Sequence, residues 1–267
     1  MALASIKLDG GTALVTGTAS GIGKEVAFAF AEAGAHAIVL VDLHAPDIML
    51  EKCRQYAAHP DLRLLPIAAN ITVEKDVENM VQSAISAFGR IDYCVHSAGI
   101  GCISRAPTER LDVEAFQHTM TTNASGTMLV LRAVSNLMAK QEPRTYTSPR
   151  SNATRSLGRG AIVVISSIPG IIASPDMMPY TVSKHAVIAI AKTAAVDNFR
   201  HNIRVNIVDG LSWIKGLRAM SALQRAAVPE EVADAIVFLC SPAATFINGS
   251  ALVIDAGMTL TALRSNL

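Results

Sequence analysis

The chain has 267 residues, 51% of them hydrophobic and 17% charged, with a formal net charge of +1. That length buries an ample core in one large α/β domain, and the balanced charge provides no long-range field to gather nucleic acid or an anionic membrane. Its four cysteines, Cys53, Cys94, Cys102 and Cys240, have neither CxxC spacing nor a nearby histidine cluster, so they fit no zinc site and no disulfide framework.

Short β-branched runs alternate with longer amphipathic stretches along the chain. The runs are Ala13–Thr16, Ala37–Val41, Leu62–Ile67, Ile91–His96, Ala161–Ile165, Val205–Val208 and Ala251–Ile254. Helical patterns lie between them near 22–33, 46–58, 73–88, 112–140, 181–199 and 230–240. Uniformly apolar strands separated by helices predict an α/β fold with a parallel sheet covered on both faces. No repeat or linker divides the pattern, so residues 1–267 read as one domain. Pro229 followed by Glu230 and Glu231 starts the last helix, with acidic side chains at its positive end. The segment 141–160 is polar, carries four arginines and reads as a solvated loop inserted at the surface. It leads into the N-terminal end of a strand, whereas ligands of open parallel sheets bind beyond the carboxyl ends. Met1–Gly11 is too short and mixed for a signal peptide, and the apolar runs fall short of the ~20 residues a membrane span needs. A soluble, cytoplasmic protein acting on a small molecule is expected, without membrane, nucleic-acid or metal partners.

The first strand ends in Thr16-Gly17-Thr18-Ala19-Ser20-Gly21-Ile22-Gly23 and runs directly into a helix. Glycines there allow a sharp turn and a close approach to a pyrophosphate, and the helix start supplies unpaired N–H donors. The second strand closes on Asp42, whose carboxylate can accept both ribose hydroxyls of an adenosine and repels a 2′-phosphate. No Arg or Lys stands at 18–20 or 43–45 to favour that phosphate. NAD(H) is therefore preferred over NADP(H), although a strand-end Asp can also cap the turn that follows it.

Tyr180 and Lys184 are four residues apart, on one face of a predicted helix. A free phenol ionises near pH ~10, and an ammonium one turn away draws it toward the working range. Ser167 ends the preceding strand, placed to polarise a substrate carbonyl.

With these residues the chain resembles the short-chain dehydrogenases/reductases, from about Leu8 to Gly257. The match rests on Thr16-Gly17-x-x-x-Gly21-Ile22-Gly23, Ala98-Gly99, Asn123, Ser167 and Tyr180-x-x-x-Lys184. The tail Asn248-Gly249-Ser250-Ala251-x-x-x-x-Asp255-Ala256-Gly257 also matches. The resemblance implies a doubly wound Rossmann fold with a seven-stranded parallel sheet and a catalytic tetrad of Asn123, Ser167, Tyr180 and Lys184. In that family the Asn bends its helix and holds a water. The implied cofactor-binding set is Gly17, Ser20, Gly21, Ile22, Gly23, Asp42, Leu43, Asn70, Ile71, Ser97, Ala98, Gly99, Tyr180, Lys184, Gly210 and Ser212. A homo-oligomer, dimer or tetramer, is also implied.

The chain departs from the family pattern at several places. His96-Ser97 replaces Asn-Asn before Ala98-Gly99, and His96 is expected to satisfy local backbone rather than act as a catalytic imidazole. Asn70 replaces the Asp that faces adenine, keeping an acceptor carbonyl. Asp209-Gly210 stands where Pro-Gly is usual, which loses a rigid φ. The substrate loop 211–228 is short. Candidate wall residues Ile100, Ile103, Ile171, Met177, Met178, Trp213, Ile214, Leu217 and Met220 are apolar and suggest a lipophilic alcohol or ketone, such as a terpenoid, steroid or polyketide. The altered positions leave a second reading open, the same scaffold used for a non-redox isomerisation or cyclisation.

Overall fold

The computed structural model describes residues 6–8, 10–210 and 223–260. In chain order the elements begin with β1 (Thr12–Thr16), α1 (Gly21–Glu32), β2 (Ala37–Asp42), α2 (Met49–Gln55), β3 (Arg63–Ala68), α3 (Glu74–Phe88) and β4 (Tyr93–His96). They continue with α4 (Val113–Met120), α5 (Gly126–Met138), β5 (Arg144–Thr147), β6 (Thr154–Gly158), β7 (Gly160–Ile165), α6 (Met178–Asp197), β8 (Ile203–Gly210), α7 (Pro229–Cys240) and β9 (Ala251–Ile254). The seven runs expected as strands form one sheet, ordered β3-β2-β1-β4-β7-β8-β9 and parallel throughout.

The sheet is apolar on both sides because helices cover both. Val15, Val163 and Val208 face α1 and α7, packing with Phe30 and Ile236. Leu14, Ile162 and Ile207, one residue earlier in each strand, face α3, α5 and α6 and pack with Met80, Val134 and Val187. Each such side chain, fully buried, contributes roughly 1.5–3 kcal/mol over its exposed state. Pro66 lies in β3, an edge strand, where a missing N–H is tolerated.

Two expectations need correction. The stretch 112–140 is not one regular helix: α4 and α5 are joined by a π-helical turn at Thr121–Ser125 that contains Asn123. The surface insertion is not an irregular loop either, because β5 and β6 pair antiparallel as a separate hairpin. Arg155 of that hairpin donates to the Pro242 carbonyl at 2.7 Å, and Arg144 donates to the Tyr93 hydroxyl at 2.9 Å. Tyr93 begins β4, so the hairpin sits at the N-terminal end of the sheet, away from the carboxyl ends. Between β1 and β4 the strand order reverses, and a crevice opens outside their carboxyl ends at this switch point.

Candidate active site

A cleft of about 620 Å³ occupies that crevice. Of the expected site residues, Gly17, Ser20, Gly21, Ile22, Asp42, Leu43, Asn70, Ile71, Ser97, Ala98, Gly99, Tyr180 and Lys184 line it. Gly23, Asn123, Ser167 and Gly210 support the wall without lining it. Ser212 lies outside the described residues, as do Trp213, Ile214, Leu217 and Met220.

The turn after β1 is shaped for close approach. Gly17 has φ +77°, and a Cβ there would come 2.9 Å from the Ala98 nitrogen. A Cβ on Gly23 would stand 2.1 Å from the Gly17 carbonyl oxygen, so only glycine lets α1 seat this tightly on the turn. The first N–H groups of α1 have no acceptor within the helix, and the Ser20 side chain does not cap them. No acidic residue occupies the first turn. The result is a backbone cradle at a positive helix end, which suits a pyrophosphate. The residues present fit a nicotinamide dinucleotide.

Asp42 both faces the cleft and ties its floor together. One carboxylate oxygen accepts from the Ala19 N–H at 2.9 Å and the other from the Leu43 N–H at 2.8 Å. Each oxygen keeps a lone pair for a ribose hydroxyl. Asn70 corrects an expectation. Its side-chain carbonyl accepts from the Thr72 N–H at 3.0 Å and the Thr72 hydroxyl at 2.8 Å, so the acceptor expected for adenine is engaged locally.

At the other end of the cleft, Lys184 Nζ lies 5.7 Å from the Tyr180 ring centroid and donates to the Ile165 carbonyl at 3.2 Å. Burial holds the Lys184 ammonium down to about 8, and the Asp209 carboxylate opposes that fall. The Tyr180 phenol is raised above its ordinary value by burial, so Lys184 does not produce the net lowering expected from its spacing. The Ser167 hydroxyl lies close enough to oppose the rise by hydrogen bonding, and it also reaches the Gly210 carbonyl at 3.5 Å. Asn123 turns its side chain to the backbone of Ile100, accepting from its N–H at 2.8 Å and donating to its carbonyl at 3.0 Å. It also donates to Ser183 Oγ at 3.0 Å.

His96 is buried behind this wall, and its partners are side chains rather than the local backbone expected. Thr127 Oγ1 donates to the Asn123 carbonyl at 2.6 Å, so at 3.1 Å it must accept from His96 Nε2–H. His96 Nδ1 then accepts from the Thr16 hydroxyl at 2.9 Å. That hydroxyl oxygen in turn accepts from the Ser97 and Ala98 N–H groups at 3.2 and 3.1 Å. Every proton in the chain has one acceptor, which fixes the neutral tautomer. The network joins the cofactor-side loop to the π turn that carries Asn123. Burial, with Lys184 adding to it, pushes His96 down to about 3.

The cleft is less uniformly apolar than the expected wall residues suggest. Ile100 and Met177 line it, whereas Ile103, Ile171 and Met178 do not. Cys102, Arg105, His118, Thr122 and Pro229 also line the cleft and were missed. Their signal was positional: residues 100–106 follow β4 at a carboxyl end, and His118 and Thr122 are four residues apart on one helical face.

Comparison with known proteins identifies the family. Residues 17–259 match the family described as enoyl-(acyl carrier protein) reductase. Short-chain dehydrogenase fogB of Aspergillus ruber is 39% identical, over 95% of this chain and 98% of its own. D-threitol dehydrogenase of Mycolicibacterium smegmatis is 33% identical, over 95% of each chain. The crystal structure of levodione reductase superposes with a TM-score of 0.81 at 26% identity, covering 96% of this chain and all of that one. No helix among the described residues is long and apolar enough to cross a membrane. From fold, cleft and relatives together, the chain belongs to the short-chain dehydrogenase/reductase family and is an NAD(P)-dependent oxidoreductase.

Proposed function

We propose that the protein interconverts a secondary alcohol and a ketone on a lipophilic small molecule such as a terpenoid, steroid or polyketide, with NAD(H) preferred over NADP(H). The observation that carries this reading is the meeting of Tyr180, Lys184 and Ser167 at one end of a cleft whose other end is the Gly17–Gly23 cradle. A bound nicotinamide supplies or receives the hydride. Tyr180 gives the proton to the carbonyl oxygen in reduction and takes it back in oxidation. Lys184 stabilises the phenolate left behind, and Ser167 holds the substrate oxygen. Asn123 shapes the wall by clamping Ile100. Asp42 selects the cofactor by accepting ribose hydroxyls and repelling a 2′-phosphate. Ile100 and Met177 line the cleft and suit an apolar substrate body, and Arg105 and His118 offer polar groups there. The relatives carry names for both directions, a dehydrogenase and a reductase. The non-redox alternative is the weaker reading, since His96, one of the three altered positions behind it, is engaged by two threonines and does not line the cleft. A homo-oligomer is consistent with the exposed Phe199 and Phe246.

The test is a cofactor-consumption screen with lipophilic ketones, run with NADH and again with NADPH. Faster turnover with NADH is expected. Faster turnover with NADPH, both at saturation and at low cofactor, overturns the role given to Asp42.

A further inference from the structure

Asp209 is fully buried at the end of β8. A carboxylate there is costly unless another group offsets the lost hydration. Neither of its oxygens has a hydrogen-bond partner among the described residues. The Ser166 hydroxyl, close enough to influence it, donates instead to the Lys184 carbonyl at 3.0 Å. The strand register shows where the carboxylate lies. Ile165 stands opposite Val208, and the Ser166 N–H donates to the Val208 carbonyl at 2.9 Å, so Ser166 and Asp209 form the next rung. Asp209 is two residues beyond Ile207, whose side chain packs on the α6 side of the sheet, and it shares that face. Lys184, from α6, anchors its ammonium on the Ile165 carbonyl of the preceding rung.

We propose that Asp209 is a positioning residue for the reaction, its buried carboxylate holding the Lys184 ammonium in its charged form beside Tyr180. The proposal rests on the reading of Tyr180 and Lys184 given above. The groups acting on Asp209 are Lys184 and Lys192 from α6, with the Ser166 hydroxyl and Ser167 amide from the end of β7. His96, which the Lys184 charge helps to hold neutral, is uncharged in the working range. Burial raises Asp209 to about 6 and lowers Lys184 to about 8, so between those values both groups are ionised. Without the carboxylate, Lys184 sheds its proton at lower pH, and the Tyr180 phenolate formed in reduction loses its countercharge. The proline usual at this position in the family carries no such charge.

Asp209→Asn keeps the shape and removes the charge. In protein labelled with ¹³C-lysine, the Lys184 ε-carbon can be assigned by its loss in Lys184→Arg. Its titration midpoint should fall by about one pH unit in Asp209→Asn. The high-pH limb of kcat for NADH-dependent reduction should move down equally, roughly ten-fold in rate at a fixed pH on that limb. Asp209→Glu, which keeps the charge, should restore most of both. An unchanged Lys184 midpoint in folded Asp209→Asn overturns the proposal. If that variant does not fold, ¹³C-aspartate in the wild-type protein decides: Asp209 should ionise before Lys184 loses its proton, and a carboxyl still protonated at that point overturns it. Wild-type turnover in Tyr180→Phe sinks the acid/base reading but leaves the Lys184 midpoint where it was, so the two ideas fail separately.

Discussion

Thr127→Val is a sharp test of the network behind the site. Valine has nearly the shape of threonine, and Thr127 is only 2% exposed, so the substitution removes a hydroxyl and little else. Two hydrogen bonds go, the 2.6 Å donation to the Asn123 carbonyl and the 3.1 Å acceptance from His96 Nε2–H. Two neutral bonds at about 1 kcal/mol each, with a buried ring N–H left unpaired, give a loss of about 3 kcal/mol. The ring cannot escape by switching tautomer. A proton on Nδ1 would leave the Thr16 hydroxyl proton without its acceptor. Thr119→Val is the matched control. Thr119 is 1% exposed, and its hydroxyl makes one bond, at 2.7 Å, to Ala115 in its own helix, so about 1 kcal/mol or less is expected. Urea denaturation followed by circular dichroism measures both. The KM for NADH should also rise in Thr127→Val, because the Ser97–Ala98 loop and the Asn123 turn are no longer held to one ring. If the two variants lie within about 0.5 kcal/mol of each other, the network carries no such energy and the reasoning is wrong.

Gly23→Ala should cost about 3 kcal/mol, because its Cβ meets the Gly17 carbonyl at 2.1 Å and only backbone can yield. Gly21→Ala, at φ +56° with no atom within 4 Å, should cost about 1–2 kcal/mol from the dihedral alone. Equal losses on denaturation would contradict the seating of α1. Unfolded His96 takes up a proton near its ordinary value of about 6.5, whereas the folded ring waits until about 3. The unfolded state therefore binds more protons in that window, and stability falls as pH drops through it, by up to about 1.4 kcal/mol per unit. The Asp209 contribution has the opposite sign between about 6 and 3.8 but is shared by wild type and His96→Asn, so their difference isolates His96. A difference that does not change with pH would refute the buried neutral ring. Asp42→Ser should shift the ratio of kcat/KM for NADH over NADPH at least about ten-fold toward NADPH; an unchanged ratio removes Asp42 from cofactor choice.

The sheet was readable because a parallel strand covered on both faces must be apolar at every position, and runs such as Ala37–Val41 and Ala161–Ile165 have that character. The hairpin was not. Its strands lie outside the main sheet, and apart from Tyr146 their side chains are at least partly exposed, so they leave no apolar run. The π turn was also hidden, since one extra residue in a helix barely alters the spacing of apolar positions across 112–140. Tyr180 and Lys184 were legible through local spacing, and Gly17 to Gly23 through their place between a strand and a helix. The partners of His96 were not, because Thr16 is 80 residues away and Thr127 is 31. The double use of Asp42 was half visible: the capping of Leu43 is local, while the bond from Ala19 needs β1 and β2 side by side. Two polar residues of the cleft, Arg105 and His118, come from a loop and a helix face whose direction only the fold supplies.

The central claim is that Tyr180 moves the proton in a hydride-transfer reaction. Tyr180→Phe tests it most directly, with turnover on a ketone confirmed for the wild type and NADH binding followed by fluorescence. Loss of turnover by about 100-fold or more with NADH affinity retained is the predicted result. Wild-type turnover in the folded variant would contradict the account.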